Sequence, residues 1–282
     1  ALWFWPIQEA DKLPSRDEFL MELTLILEGT VYETVPAVGK QLSLLPDEHP
    51  IQMDLDLTNE FGHVNVDALC DNIERLAIVR DLAKRHRFHH WELVFADLFN
   101  DRGGFDLVLG NPPCIKIEWN EGGLLGDYDP LFVIRKYSAS HLATMREDTI
   151  AKRSIRNEYL NEYEAFDGTQ NFLNALQNYP ILKQTQSNLY KCFLPQAWSI
   201  GTDQGVSGFL HPEGVFDDPK GGKFREAIYR RLRYHFQFQN ELNLFGDVDH
   251  HVKFSINIST AQAKEPVQFS HIANLFSVAT VD

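Results

Sequence analysis

The sequence predicts an α/β protein, and three observations carry that expectation. Two stretches, YHFQFQN at 234–240 and HVKFSINIST at 251–260, alternate polar and apolar residues with the two-residue period of strands. Other stretches repeat apolar residues three and four apart, the period of helices. One short apolar run, FDLVLG at 105–110, ends in a glycine with two prolines just beyond, as a buried parallel strand does where it opens into a loop. Strands interleaved with helices imply a layered, mostly parallel sheet.

Taken in order, the first helix is expected at about 16–28. Ser15 is its N-cap and Glu18, three residues on, completes a capping box. A second helix is expected at about 67–87, with Leu69, Ile73, Leu76, Val79 and Ala83 on one stripe. WELVFADLF at 91–99 alternates at Trp91, Leu93 and Phe95 and is expected as a strand. Residues 139–199 read as helical, with breaks near Gly168 and Pro180. GVSGFLHP at 205–212 reads as a strand, GGKFREAIYRRLR at 221–233 as a helix, and VQFSHIANL at 267–275 as the last strand. The organisation expected is an acidic N-terminal extension or insertion over 1–65, rich in proline, and a core over 66–282 with a helical insertion at about 120–187.

Composition narrows the class. The 282 residues are 44% apolar and 23% charged, ordinary for a globular protein. That excludes a disordered chain, a collagen-like repeat and a disulfide-stapled miniprotein. The longest apolar runs fall short of the roughly 18 to 20 residues that cross a bilayer, and no basic-then-apolar leader opens the chain. The expected setting is therefore the cytoplasm, without a membrane partner. Cys70, Cys114 and Cys192 are odd in number and far apart, the pattern of reduced thiols, and no C-x-x-C pair supports a zinc ribbon. The opening ALWFWP and the closing apolar segment read as the ends of a piece cut from a longer chain.

The net charge of −14 argues against a protein that simply coats nucleic acid. The charge is uneven, however. Residues 1–75 hold 15 acidic and four basic side chains, whereas 216–235 hold six basic against three acidic. Lys220, Lys223, Arg225 and Arg230 belong to that basic stretch, which is either a solvated helix face or a local contact to phosphates.

The residues richest in chemistry are GNPPC, Gly110–Cys114, directly after the 105–110 strand. Ligands of open α/β sheets bind outside the carboxyl ends of strands. Two prolines there hold the backbone and leave their carbonyls free to accept. Asn111 adds a side-chain carbonyl. A fixed Asn carbonyl and a fixed Pro carbonyl can both accept from one –NH2 group, which holds an aromatic amine in place. The competing reading is a rigid turn with no further role.

F-D-x-V-x-G-N-P-P resembles the catalytic signature of N6-adenine DNA methyltransferases, and most of all the large single-chain enzymes of restriction and phage-defence systems. The likeness extends over residues 91–258 in family order: WELVFADLF, the N-P-P strand, NLYKCFLPQAW at 188–198, GVSGFLHPEGVF and VKFSINI. It implies a Rossmann-like class I methyltransferase fold, S-adenosylmethionine as methyl donor and double-stranded DNA as partner, with other defence subunits as further partners. It implies that Asn111, Pro112, Pro113 and Cys114 form the catalytic turn. It further implies that Asp97, Leu98, Leu189 and Phe193 line the cofactor pocket and that Phe254 packs on the target base. Lys220, Lys223, Arg225 and Arg230 would then face DNA phosphates.

Three departures from the family pattern stand out. Cys114 occupies the position of an aromatic ring, no F-x-G-x-G cofactor loop occurs, and no target-recognition segment follows the last strand. The loop is expected before Ala1. Two rival readings therefore remain: a degenerate, non-catalytic scaffold that binds DNA or a partner, and a methyltransferase acting on another amine, such as a protein glutamine. Asp247, Asp249, His250 and His251 have the residue types of metal ligands but are expected to form a polar loop, as are His89 and His90, so no metal is expected. PKGGK at 219–223 lacks the Ser or Thr of a phosphate loop.

Overall fold

The computed structural model describes residues 1–28, 64–135, 137–183, 185, 188–246 and 248–281. Contacts divide the chain into two units, Ala1–Phe88 and His89–Asp282.

In the first unit, α1 spans Arg16–Glu28, α2 Val66–Asn72 and α3 Glu74–His86. The capping box forms in both directions. The Ser15 amide donates to Glu18 Oε2 at 2.8 Å, and the Glu18 amide donates to Ser15 Oγ at 3.4 Å. The helix expected over 67–87 is broken at Ile73, whose backbone is extended (φ −117°, ψ 105°). Leu69, Cys70 and Leu76 bury themselves with Ile26 of α1. That shared core joins α2 and α3 to the acidic segment, so the chain divides after Phe88 rather than at residue 65. Most of the proline-rich segment, 29–63, lies outside the described residues, and Pro36, Pro46 and Pro50 with it.

The second unit begins with α4, Trp91–Val94, and α5, Ala96–Arg102, where a strand was expected over 91–99. Trp91, Phe95 and Phe99 are four residues apart, a helical spacing. Their rings gather around Phe105 at centroid distances of 5.6, 5.2 and 5.8 Å, while Leu93 and Val94 face solvent. A short segment satisfied both periods, and aromatic packing selected the helix.

Strand β1, Phe105–Gly110, follows. Helices α6 Glu121–Gly126, α7 Leu131–Ile134, α8 Ala139–Ile150 and α9 Arg153–Asn174 make up the helical insertion. Helix α9 runs through Gly168, which is buried and causes no break; the chain does break at Pro180. Then come α10 Leu189–Ile200, β2 Gly201–Pro212, α11 Gly214–Asp217, α12 Gly222–Tyr229, β3 Leu232–Gln239, β4 Lys253–Thr260 and β5 Ser270–Leu275.

The sheet has five strands in the order β1-β2-β4-β3-β5. β1 pairs with β2 and β3 with β5 in parallel, whereas β4 runs antiparallel to both β2 and β3. The sheet is therefore mixed rather than mostly parallel. Residue alternation reports which face a side chain takes, not the direction of the neighbouring strand. β1 is parallel as expected but stands at the sheet edge, with Leu109 70% exposed. An apolar run does not encode its place in the strand order.

The main core packs Trp198, Cys192 and Leu194 of α10 against Phe209 of β2 and Phe224 and Ile228 of α12. Gly104, at φ +143°, lets the chain pass beneath the end of α10, where a Cβ would sit 2.4 Å from the Ile200 carbonyl oxygen. Among the described residues, no helix is long and apolar enough to cross a membrane.

Candidate active site at the carboxyl end of the first strand

β1 and β2 run parallel with Gly110 opposite Phe209, so their carboxyl ends open on one rim. β1 delivers Asn111-Pro112-Pro113-Cys114 there, and β2 delivers His211, Pro212 and Glu213. Gly110 permits the close approach: a Cβ on it would stand 3.1 Å from the Phe209 ring. Pro112 is buried, whereas Asn111, Pro113 and Cys114 are exposed. The Cys114 thiol donates weakly to the Pro112 carbonyl at 3.5 Å. Partial burial of that thiol raises its pKa, so it stays protonated at neutral pH.

The chain beyond Cys114 is tied down on both sides. Lys116 forms an antiparallel bridge with Asn188, and the Leu189 amide donates to the Ile115 carbonyl at 3.0 Å. These contacts bind the turn to the start of α10. Trp119 packs on Tyr159, Tyr163 and Phe166 of α9, at 5.5, 5.2 and 5.6 Å. Glu121 accepts from the Tyr159 hydroxyl at 2.6 Å and from Arg146 at 3.2 Å. The helical insertion thus holds the loop that continues from the turn.

Two cavities meet the turn. Asn111, Pro112 and Pro113 line an almost apolar cavity of about 390 Å³, together with Trp91, Phe193 and Phe209. Cys114 lines a polar cavity of about 790 Å³, together with Asn188, Tyr190, Lys191, Asp218 and Lys220. Lys191 Nζ and Asp218 Oδ2 form a largely buried ion pair at 2.9 Å in the wall of the polar cavity.

Behind the polar cavity lies a buried polar network. The Tyr190 ring stacks on His211 at 5.3 Å. Burial lowers the His211 pKa, so the ring is neutral. Its Nδ1–H donates to the Pro212 carbonyl at 2.9 Å, and Nε2 accepts from Asn257 Nδ2 at 3.0 Å. Glu213 accepts from His235 at 3.1 Å and from Gln237 at 2.8 Å. Burial opposes the charge on Glu213, but hydrogen bonds from His235, Ser255 and Gln237 outweigh it and hold the carboxyl at about 2.

The residues expected at the site separate into two groups. The four residues of the turn and Phe193 come together. Leu189 packs against the hydrophobic core instead. Asp97 and Leu98 lie on α5, and neither lines these two cavities. Phe254 is buried in a separate core with Phe238 and Leu275, stacked on Phe238 at 5.7 Å, and does not line either cavity. Neighbouring strand residues point to opposite faces. Ser255 and Asn257 take the face with the His211 network, which sends Phe254 to the other one.

The basic residues divide as well. Lys220 lines the polar cavity and Lys223 is exposed. Arg225 turns back onto the Asp218 carbonyl, and Arg230 is paired with Glu226 at 3.5 Å and Glu265 at 3.2 Å. Asp249, His250 and His251 have ligand atoms within 4.8 Å of one another, but all three residues are exposed and the His251 amide donates to Asp249, as in a polar turn. Asp247 lies outside the described residues.

Asn188, Tyr190, Lys191, His211 and Glu213 were not singled out from sequence. One signal was present: His-Pro-Glu closes an apolar strand parallel to β1, and the carboxyl ends of adjacent parallel strands share a rim. Fold and site together define an α/β protein with a mixed sheet and a proline-fixed polar turn at the end of a parallel strand pair. No family model matches the sequence, and the comparison with curated proteins finds no match.

Proposed function

We propose that the chain is part of an S-adenosylmethionine-dependent DNA methyltransferase that acts on adenine N6 after the base has left the helix stack. The observation that supports this reading is the placement of Asn111-Pro112-Pro113 at the end of β1, with the apolar cavity against it and the polar cavity beginning at Cys114. The apolar walls of Trp91, Phe193 and Phe209 suit a nucleoside ring, and S-adenosylmethionine would supply an electrophilic methyl group there. The polar cavity suits a base with its exocyclic amine toward the turn.

In this reading the two amine hydrogens donate to Asn111 Oδ1 and the Pro112 carbonyl. The Pro112 carbonyl is fixed by the backbone of the turn before the base arrives, with the exposed Asn111 beside it, so catalysis is mainly positional. Pro113 keeps the turn rigid. Lys220, beside the polar cavity, and the exposed Lys223 take backbone phosphates, and Arg225 and Arg230 hold the local structure instead. Double-stranded DNA is the partner, and a restriction or phage-defence setting follows from the sequence resemblance.

The test is transfer of labelled methyl from S-adenosylmethionine to adenine-containing duplex DNA, with Asn111→Ala as control. No transfer by wild type, together with retained DNA binding, would support the second reading, a scaffold derived from a methyltransferase. One observation favours that reading: the Cys114 thiol already occupies the Pro112 carbonyl and offers no ring for stacking.

A further inference from the structure

We infer that Gln196 reads the ring edge of the nucleoside seated in the apolar cavity and makes that cavity select adenine; the inference rests on the reading above, in which this cavity takes the nucleoside of the methyl donor. Gln196 stands in the cavity wall with Phe193, Ala197 and Ile200. These residues fall at i, i+3, i+4 and i+7 of α10, so they share one face of the helix. The rest of the lining is Trp91, Phe209, strand β1 and the turn that follows it.

That face of α10 is apolar at every position except Gln196. Among the described residues, the other side-chain hydrogen-bonding groups in the lining are the Asn111 carboxamide and the Trp91 indole N–H. Asn111 is assigned to the target amine, and an indole donates only. Gln196 therefore supplies the remaining acceptor, with a donor beside it. The residue is half-buried, and its carboxamide makes no hydrogen bond among the described residues. The bond it does make uses the main chain, whose carbonyl accepts from the Ser199 hydroxyl at 2.8 Å. The side chain thus serves neither the helix nor the core.

A carboxamide carries its donor and acceptor side by side. That pair matches an edge on which an amine adjoins a ring nitrogen, as adenine presents at N6/N7. The nucleoside amine donates to Gln196 Oε1, and Gln196 Nε2–H donates to the adjacent ring nitrogen. Both atoms of the amide are then satisfied. The amine concerned belongs to the nucleoside in the apolar cavity, so it does not compete with the target amine that Asn111 and Pro112 hold. A ring entering this wall leaves water behind, and a polar atom left unpaired there costs more than a formed pair returns. One amide in an apolar wall is therefore enough to select.

The test uses the whole chain and two nucleosides, adenosine and purine riboside, which carries hydrogen in place of the amine. Ligand-observed NMR titration reads their dissociation constants into the millimolar range. Wild type should bind adenosine about fivefold tighter than purine riboside. Gln196→Leu keeps a good helix former and an apolar wall, and it should bind the two alike. Gln196→Glu keeps the acceptor and loses the donor, and it should still prefer adenosine. Preference retained by Gln196→Leu would overturn the role of Gln196. Preference lost by Gln196→Glu would also overturn it, because pairing with the amine would not be the cause. Wild type binding both nucleosides equally would overturn the inference and leave the cavity reading in place. No saturable binding of either nucleoside by wild type would overturn the reading of the cavity itself.

Discussion

The Cys114 sulfur lies 3.5 Å from the Pro112 carbonyl oxygen, the acceptor that the proposed reaction assigns to the target amine. The residue in the aromatic position of the motif thus touches the proposed acceptor directly and adds no ring of its own to the adjoining 790 Å³ cavity. Cys114→Tyr should fill part of that space. Cys114 is exposed and Trp119 packs elsewhere, so the change should alter stability by less than about 1 kcal/mol. Stacking contributes about 1–3 kcal/mol per base. Affinity for a duplex with adenine opposite an abasic site should therefore rise about tenfold. A lower melting temperature without tighter binding favours the scaffold reading.

Asn111→Ala removes one of the two acceptors that the proposed reaction gives the amine. Methyl transfer should fall at least about 100-fold, equivalent to roughly 2.7 kcal/mol of barrier. The residue is exposed, so the fold should be unaffected. Rapid-quench kinetics and thermal unfolding separate the two effects. Wild-type transfer by the variant removes Asn111 from the mechanism.

The Glu213–His235 pair makes stability depend on acid. The Glu213 carboxyl is held at about 2 in the fold, below its ordinary 4.5. Its contribution is therefore fully present above about pH 4.5 and is lost as the pH falls from there through about 2. Glu213→Gln should remove this dependence. At pH 7 it should cost about 1–3 kcal/mol by weakening a buried hydrogen-bond set. Urea unfolding between pH 3 and 7 reads both effects, and parallel profiles for variant and wild type would show that Glu213 does not carry the dependence.

Gly104→Ala should be far more damaging than most glycine changes. The added Cβ would overlap the Ile200 carbonyl oxygen at 2.4 Å, at a φ of +143° that side chains disfavour. Backbone must shift where α10 passes into β2, at a cost of about 2 kcal/mol or more. Gly103→Ala is the control, since nothing lies within 4 Å of its Cβ and only its φ of +77° is strained. Equal losses for the two variants would show that contact with α10 is not the cause.

Much of the secondary structure was legible in the residues. Ser15 and Glu18 announced a capping box that forms as read. The strands at 105–110, 205–212, 234–240 and 251–260 were each marked by an apolar run or by alternation, and each is present within a few residues. The 91–99 segment was misread because Trp91 and Phe95 fit both a two-residue and a four-residue period. Contact with Phe105, a residue outside the segment, decided between them.

The candidate site was legible as a motif and illegible as a place. Asn111 to Cys114 could be found because two prolines after an apolar strand have few structural uses besides a rigid turn. Phe254 could not be placed, because alternation separates it from Ser255 without saying which face of the sheet meets the turn. Asn188 gave no sign, because its place beside the turn depends on the bridge to the distant Lys116.

The sequence by itself determined the α/β class, most of the helices and strands, and the presence of a proline-fixed turn after the first strand, because each depends on residues within a few positions of one another. The tertiary structure alone decided that β4 runs antiparallel between β2 and β3, and that β1 stands at the edge. It also decided that the turn meets an apolar cavity and a polar one. Those features depend on pairings such as Gly110 with Phe209 and Lys116 with Asn188. Residues so far apart in the chain meet only when the whole sheet closes, and no local period records which distant partner each will find.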